Sequence, residues 1–144
     1  MIRRQRGVTL MELMVVVTII SVLAAIAYPG YRAQVRRSNR TEARVALEQT
    51  AGALEKCYTR YMAYNDLANC PAANQFDDEG GYDTPQGLYR ITAPILTDAQ
   101  FTVTATAQNG QLDDTDCRTL TLGETSARGA TNAGGANNAA ACWR

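Results

Sequence analysis

The stretch that decides the fold is GVTLMELMVVVTIISVLAAIAYP, residues 7–29. From Val8 to Tyr28 every residue is apolar, small or hydroxylic except Glu12. At a helical rise of about 1.5 Å per residue, a segment of this length spans roughly 30 Å, the thickness of the hydrocarbon core of a bilayer. The stretch therefore predicts a helix that is long and apolar enough to cross a membrane.

Glu12 needs an explanation, because a charge at the centre of a membrane helix costs on the order of 2.5–3.5 kcal/mol. One interpretation is local, since Thr9-Leu10-Met11-Glu12 fits the capping-box pattern that begins helices. The other is functional, because ionisable residues within apolar spans usually pair with a partner of opposite charge.

The motif G-V-T-L-M-E-L, followed by an apolar run and a proline, resembles the class III signal of type IV pilins and pseudopilins. The resemblance implies that a prepilin peptidase cuts between Gly7 and Val8, that Val8 is then N-methylated, and that residues 1–7 are a cytoplasmic leader. It also implies that Glu12 pairs with the N-terminal ammonium of a neighbouring subunit in a fibre core. Two charges that are each costly in an apolar core compensate one another only when they meet, so this pair would set the assembly register. Val8 departs from the family pattern, which usually has phenylalanine here.

The same stretch also permits an ordinary secretory signal peptide. Three arginines precede the apolar run, and Ala25-Ile26-Ala27 before Tyr28 fits an A-x-A cleavage site. Glu12 inside the run, and a run longer than the usual ~7–15 residues, argue against this alternative.

Composition limits the function classes. The 144 residues carry no net charge, but from Ala46 onward six basic residues face twelve acidic ones, which disfavours non-specific nucleic-acid binding. The chain has no histidine, which excludes Ser-His-Asp and Cys-His catalysis, and no phosphate-binding glycine loop. We expect neither an enzyme nor a cofactor.

Helical periodicity continues beyond the apolar run. The positions of an apolar or small face step by three or four residues: Ala43, Leu47, Thr50, Leu54, Cys57 and Tyr61. One helix is therefore predicted from near Thr9 to near Tyr61, with a kink at Pro29 and Gly30. Its first half is apolar all round and its second half is amphipathic.

A basic stripe follows the apolar run, because Arg32, Arg36, Arg40 and Arg44 recur every four residues. It is interpreted as a solvated face, or as a surface for anionic headgroups or for the acidic surface of a neighbouring subunit. Five arginines follow the run and three precede it, which conflicts with the positive-inside rule for a pilin. The cysteines and the family resemblance outweigh that rule here.

Three stretches between Leu88 and Leu122 alternate between apolar and polar residues with period two. Strands are predicted over residues 88–95, 101–107 and 117–122, giving an antiparallel sheet of three or four strands. Asn109-Gly110 is a turn signal, lengthened by the acids that follow it. From Thr125 to Ala141 the chain is too poor in large apolar residues to order itself, so it needs a tether.

Four cysteines allow three pairings, and the sequence does not choose among them. Cys57 with Cys70 and Cys117 with Cys142 are favoured because each pair links near neighbours across a loop that lacks a core. Disulfides require an oxidising compartment such as the periplasm. A four-cysteine zinc site is disfavoured, since no C-x2-4-C pair is present. No metal site is expected, and the acidic runs 77–79 and 113–116 are interpreted as solvated loops because neither follows an EF-hand spacing. Trp143 is expected to pack on the sheet.

Together these features predict an α+β pilin fold: a long kinked N-terminal helix packed on an antiparallel sheet, with a disulfide-closed C-terminal loop. The expected parts are a leader (1–7), an apolar transmembrane and fibre-core segment (8–30) and a periplasmic, later extracellular, head (31–144). The chain resembles PilE-type minor pilins in its head, in the sequence RRSNRTEARVAL and in the terminal Cys142-Trp143. That resemblance implies pilus assembly, twitching motility and surface attachment. The implied partners are other pilins, the prepilin peptidase and, before assembly, the inner membrane. The alternatives are a competence-type DNA-binding minor pilin, disfavoured by the acidic head, and a type II secretion pseudopilin.

Overall fold

A computed structural model describes residues 8–77 and 80–144 of the chain. The predicted leader, including Gly7, lies outside these residues, as do Asp78 and Glu79 of the first acidic run.

The long helix α1 comprises Leu10–Tyr61, as the periodicity predicted. It begins after Thr9, and its assignment is continuous through Pro29 and Gly30. Pro29 has no N–H to donate to the preceding turn, which is the physical reason to expect a kink. A continuous helix assignment does not test the bend, so the kink stays a prediction. The chain divides into two compact units. One ends at Val35, and the other comprises Arg36–Arg144 and is called the head unit.

The head unit contains one five-stranded antiparallel sheet in the order β1-β2-β3-β4-β5. The strands are β1 (Tyr82–Asp83), β2 (Tyr89–Leu96), β3 (Phe101–Ala107), β4 (Thr119–Gly123) and β5 (Arg128–Thr131). Each pairs with the next one along the chain, as in a meander. The register between β2 and β3 shifts between Thr92 and Ile95, where Pro94 cannot donate a ladder hydrogen bond.

Two of the five strands were not predicted. β1 has only two residues, and β5 lies inside the 125–141 segment, whose composition carries no strand signal. β5 forms because β4 offers it a free edge, with Leu120 opposite Ala130. Two short helices, α2 (Pro71–Asn74) and α3 (Ala139–Cys142), and a 3-10 helix (Asn109–Asp113) complete the unit.

The core lies between the amphipathic half of α1 and one face of the sheet. Alternate residues of β3 are buried, whereas its threonines are more exposed, which is the period-two pattern of a strand with one covered face. The largest fully buried side chains include Leu47, Leu54, Tyr89, Ile91, Phe101 and Leu120. Tyr61, the last position of the predicted helix face, is instead 38% exposed because α1 ends there.

Two disulfides join Cys57 to Cys70 and Cys117 to Cys142, which are the pairs favoured from the sequence. The second closes the C-terminal loop and holds α3 near the start of β4. Chain entropy alone would give about 3 kcal/mol for the shorter loop and about 3.5 kcal/mol for the longer one.

Candidate assembly interface

The apolar half of α1 is exposed along its whole length. Every residue from Val8 to Arg32 is exposed, and Leu10 and Ile26 reach 78% and 75%. An 18-residue window of α1 has a mean hydropathy of 2.5 with none of it buried. A contiguous apolar surface of this size marks a site for lipid or for other protein chains.

The start of α1 is capped by Thr9. Its Oγ1 accepts a hydrogen bond from the Glu12 N–H at 3.2 Å, and its carbonyl accepts one from the Leu13 N–H at 3.2 Å. This is half of the capping box expected from the sequence. The exposed Glu12 thus lies in the first turn, where the helix dipole favours a negative charge. The cap orients the chain ahead of Glu12 but leaves that side chain accessible to another molecule.

The hydroxyls within the apolar run bond to their own helix. Thr18 Oγ1 donates to the Met14 carbonyl and Ser21 Oγ to the Val17 carbonyl, each at 2.8 Å. A hydroxyl bonded in this way can enter an apolar environment at little cost. After the run, the Arg32 guanidinium lies 5.9 Å from the centre of the Tyr28 ring, a pairing of aromatic and basic residues typical of membrane interfaces.

Arg40 does not belong to a solvated stripe, so that interpretation is wrong for this residue. Its side chain is buried, and its Nε and Nη2 donate to the two carboxylate oxygens of Asp114 at 2.7 and 2.8 Å. The hydrogen bonds to Asp114 raise the pKa of Arg40, against the opposing effect of burial. Spacing placed Arg40 on the same face as Arg36 and Arg44, but only the fold brings Asp114 onto it.

Gln111 extends this buried network. Its amide donates to the Arg36 carbonyl at 3.2 Å and to Asp114 at 3.0 Å, and its Oε1 accepts from Asn39 at 3.1 Å. The 3-10 helix is thereby tied to α1. Asp114, expected in a solvated loop, is buried, because the backbone that follows the turn folds under Arg40. No sequence signal singles out Gln111.

Beside this network lies a cavity of about 280 Å³ lined mainly by arginines, which we call the arginine cavity. Its lining residues are Arg37, Arg40, Arg44, Asp116, Ala141 and Arg144. Arg44 donates to the main-chain oxygen of Arg144 at 2.5 Å, and Asp116 lies 3.9 Å from Arg40. Since Arg40 is neutralised by Asp114, the remaining lining carries a clear excess of positive charge.

Trp143 packs on the sheet as expected. Its indole Nε1 donates to the Gly129 carbonyl in β5 at 2.8 Å, and the Arg128 guanidinium lies 4.9 Å from its ring centre. Arg128 in turn pairs with Glu48 of α1 at 3.3 Å. These contacts and the Cys117–Cys142 disulfide are the tether that the 125–141 segment required.

Comparisons with known proteins agree with this architecture. Residues 29–121 match a family model described as "Type IV minor pilin ComP, DNA uptake sequence receptor", and residues 2–28 match one described as "Prokaryotic N-terminal methylation motif". The type IV major fimbrial protein FimA of Dichelobacter nodosus is 31% identical over 112 residues, covering 71% of this chain and 70% of the relative.

Two further relatives match shorter parts of the chain. The type IV major pilin PilA of Myxococcus xanthus is 42% identical over 66 residues, or 46% of this chain. The fimbrial protein EcpC of Eikenella corrodens is 43% identical over 70 residues, or 49% of this chain. The chain spans only 30% and 42% of the length of these two relatives. With a matching family model over more than half of its residues and a relative aligned over most of its length, the chain belongs to the type IV pilin family.

Proposed function

We propose that this chain is a structural subunit of a type IV pilus, with no enzymatic role of its own. The observation that carries the proposal is the wholly exposed apolar half of α1, which has a single carboxylate in its capped first turn. Such a surface requires lipid before assembly and neighbouring helices after it. The chain would be held in the inner membrane with the head in the periplasm, and would then enter an extracellular fibre.

The processing steps belong to the same proposal. Cleavage between Gly7 and Val8 by a prepilin peptidase, and methylation of Val8, would leave Glu12 four residues from the new N-terminus. The match of residues 2–28 to an N-terminal methylation motif supports this. Residues 8–30 would then form the membrane and fibre-core segment and residues 31–144 the head.

Within the family we assign the chain to the minor pilins, with roles in pilus assembly, twitching motility and surface attachment. The match of residues 29–121 to a minor-pilin model supports this assignment. The fimbrial names of the relatives favour a pilus over a secretion pseudopilin.

Two measurements test the proposal: the mass of the mature chain and the incorporation of a variant into fibres. Intact mass and N-terminal sequencing of the protein from its host should give a methylated chain that begins at Val8. Glu12→Gln, which keeps the size but removes the charge, should be processed normally yet enter sheared fibres poorly. Glu48→Gln, an exposed carboxylate in the head, is the matched control. A chain that begins at Tyr28, or normal incorporation of Glu12→Gln, would refute the proposal.

DNA binding is a second candidate, because the matching minor-pilin model is described as a DNA uptake sequence receptor. The arginine cavity offers phosphate-binding groups, whereas the acidic excess elsewhere in the head opposes binding. Titrating the purified chain in detergent with duplex DNA at ~50 and ~200 mM salt tests this. Tight binding that weakens steeply with salt would support it, and equal absence of binding at both salts would reject it.

A further inference from the structure

Two cavities adjoin along the amphipathic half of α1. The first, of about 500 Å³, lies between α1 and the turn that joins β1 to β2, with Glu42 and Pro85 in its lining. The second, of about 440 Å³, lies between α1, α2 and β1, with Tyr82 in its lining. Both volumes are in the range of sites that hold small molecules. Gln49 lines both cavities, and we call the pair the amide groove. The groove is named for its four side-chain amides: Asn39, Gln49, Gln75 and Gln86.

The lining of the amide groove is polar but nearly uncharged. Among the described residues that line it, none is a cation and Glu42 is the single acid. The other polar groups are the four amides and the hydroxyls of Ser38, Thr41, Thr50 and Tyr82. Amide and hydroxyl groups can both donate and accept hydrogen bonds. The groove therefore suits a ligand that also does both, and it offers no cation to a phosphate.

Glu42 presents an acceptor that no described residue uses. Its Oε1 accepts the Gln86 N–H at 3.0 Å, whereas its Oε2 is buried and has no hydrogen-bond partner within the described residues. A buried acceptor without a donor is unfavourable, so a ligand that brings a hydroxyl gains from pairing with it. The turn that holds Gln86 is itself fixed, because the Gly87 N–H donates to the Thr84 carbonyl at 2.7 Å and Pro85 restricts the backbone between them. The carboxylate is thus oriented in advance.

Tyr82 gives the second cavity an aromatic wall. Its hydroxyl and Thr50 Oγ1 share a hydrogen bond at 2.7 Å, and its ring centre lies 6.3 Å from that of Phe76. These two contacts fix the half-buried ring at the side of the groove. An aromatic ring beside polar groups can pack on the apolar face of a ligand whose edges form hydrogen bonds.

We propose that the amide groove binds a neutral disaccharide or longer saccharide. Glu42 Oε2 accepts a hydrogen bond from a sugar hydroxyl, and the Tyr82 ring packs on the C–H face of a sugar ring. The inference rests on the proposed function, because it names the ligand class for surface attachment. Other small ligands match the lining less well. An ammonium group only donates and leaves the amide N–H groups without acceptors, and an anion is repelled by Glu42.

NMR titration of the full ¹⁵N-labelled chain tests the proposal. The chain is held in a zwitterionic detergent, because a detergent with a sugar headgroup could compete for the groove. The probes are maltose, cellobiose, lactose and N,N′-diacetylchitobiose, with putrescine and inorganic phosphate as the charged comparisons. At least one disaccharide should shift the side-chain amide signals of Gln49, Gln75 and Gln86 in a saturable way, and phosphate should shift none of them.

Three variants locate the binding. Glu42→Gln keeps the size of the side chain and an oxygen for the Gln86 N–H but removes the second acceptor, so saccharide affinity should fall roughly tenfold. Gln49→Ala alters an exposed residue that lines both cavities and should also weaken binding. Glu48→Gln is the matched control, because Glu48 is an exposed carboxylate on the same helix outside the groove, and affinity should stay within about twofold of wild type. Denaturant unfolding followed by Trp143 fluorescence shows that each variant is folded.

Several results would overturn the proposal. These are the absence of shifts with all four disaccharides at millimolar concentration, shifts with putrescine alone, and saccharide affinity that is equal in wild type, Glu42→Gln and Gln49→Ala. Fibre incorporation separates this inference from the proposed function, since both groove variants should enter sheared fibres as the wild type does. Wild-type chain in fibres without saccharide binding would refute only the ligand site. Saccharide binding by a chain that is absent from fibres would refute only the fibre role.

Discussion

Arg40 and Asp114 form a buried two-point ion pair that joins the long helix to the loop after β3, with Nε to Oδ2 at 2.7 Å and Nη2 to Oδ1 at 2.8 Å. The two residues are 74 positions apart, and each side chain is at least nine-tenths buried. Asp114 also accepts hydrogen bonds from the Gln111 amide and the Cys117 N–H. The pair therefore joins the base of the arginine cavity to Cys117, the residue of the C-terminal disulfide that precedes β4.

Breaking this pair should destabilise the head strongly. Asp114→Ala leaves the Arg40 guanidinium buried without its partner, which costs about 3–5 kcal/mol of the free energy of unfolding. Denaturant unfolding of the full chain in detergent, followed by tryptophan fluorescence of Trp143, measures this. Glu48→Ala is the control, because it removes an exposed pair with Arg128 and should cost at most about 1 kcal/mol. Equal losses for both variants would contradict a special role for Asp114.

Removing each of the two disulfides should destabilise a different part of the head. Replacing Cys117 and Cys142 by serine should cost about 3.5 kcal/mol by chain entropy and should free β5 and α3 from the sheet. Replacing Cys57 and Cys70 should cost about 3 kcal/mol and act on the loop after α1. Limited proteolysis with mass mapping distinguishes the two, with new cuts within residues 125–141 only for the first variant. Cuts in the same places for both variants would show that the C-terminal loop does not depend on its own disulfide.

A core leucine and a leucine in the apolar run should respond in opposite ways. Leu54 is fully buried, so Leu54→Ala should lower the free energy of unfolding of the head by about 2–5 kcal/mol. Leu23 is 61% exposed, so Leu23→Ala should leave that free energy unchanged in detergent. Leu23→Ala should nevertheless reduce the fibre-incorporated fraction, since its contacts are with other chains. A Leu23→Ala head that unfolds as easily as Leu54→Ala would show that the apolar run belongs to the core of the head.

Alkaline pH should unfold the head through its buried tyrosines. Burial raises the pKa of Tyr89 to about 12, and burial with the hydrogen bond to Glu55 raises the pKa of Tyr64 to about 12. Because the unfolded tyrosines ionise near pH 10, their contribution to stability is complete below about pH 10 and is lost between about pH 10 and pH 12.

Tyr89→Phe isolates one of these contributions. The Tyr89 hydroxyl has no hydrogen-bond partner within the described residues, so removing it should leave the neutral-pH stability unchanged or higher. The decline in the free energy of unfolding between pH 10 and 12, measured with denaturant at several pH values, should become shallower. An unchanged slope would show that Tyr89 does not titrate on unfolding.

The periodic spacing of apolar residues in the sequence was enough to predict the long helix and the main strands of this protein. The 52-residue helix α1 and the alternation of β3 follow from the spacing of apolar residues, because that spacing decides which face can be buried. The motif around Glu12 likewise pointed to the pilin family. The pairing of the cysteines was favoured by their nearness in the chain, since short loops cost least to close.

Only the tertiary structure decided the contacts between distant residues. Arg40 looks like one more exposed arginine in the sequence, and only the fold brings Asp114 to it. Likewise, Arg128–Thr131 needed the edge of β4 in a folded sheet before it could pair as β5. The arginine cavity, too, is assembled from α1 and the C-terminal end of the chain, where Arg44 and Arg144 are 100 residues apart. Sequence patterns record which residues share a helix face or a strand face, whereas long-range partners are selected by the packing of the whole chain, which no local pattern encodes.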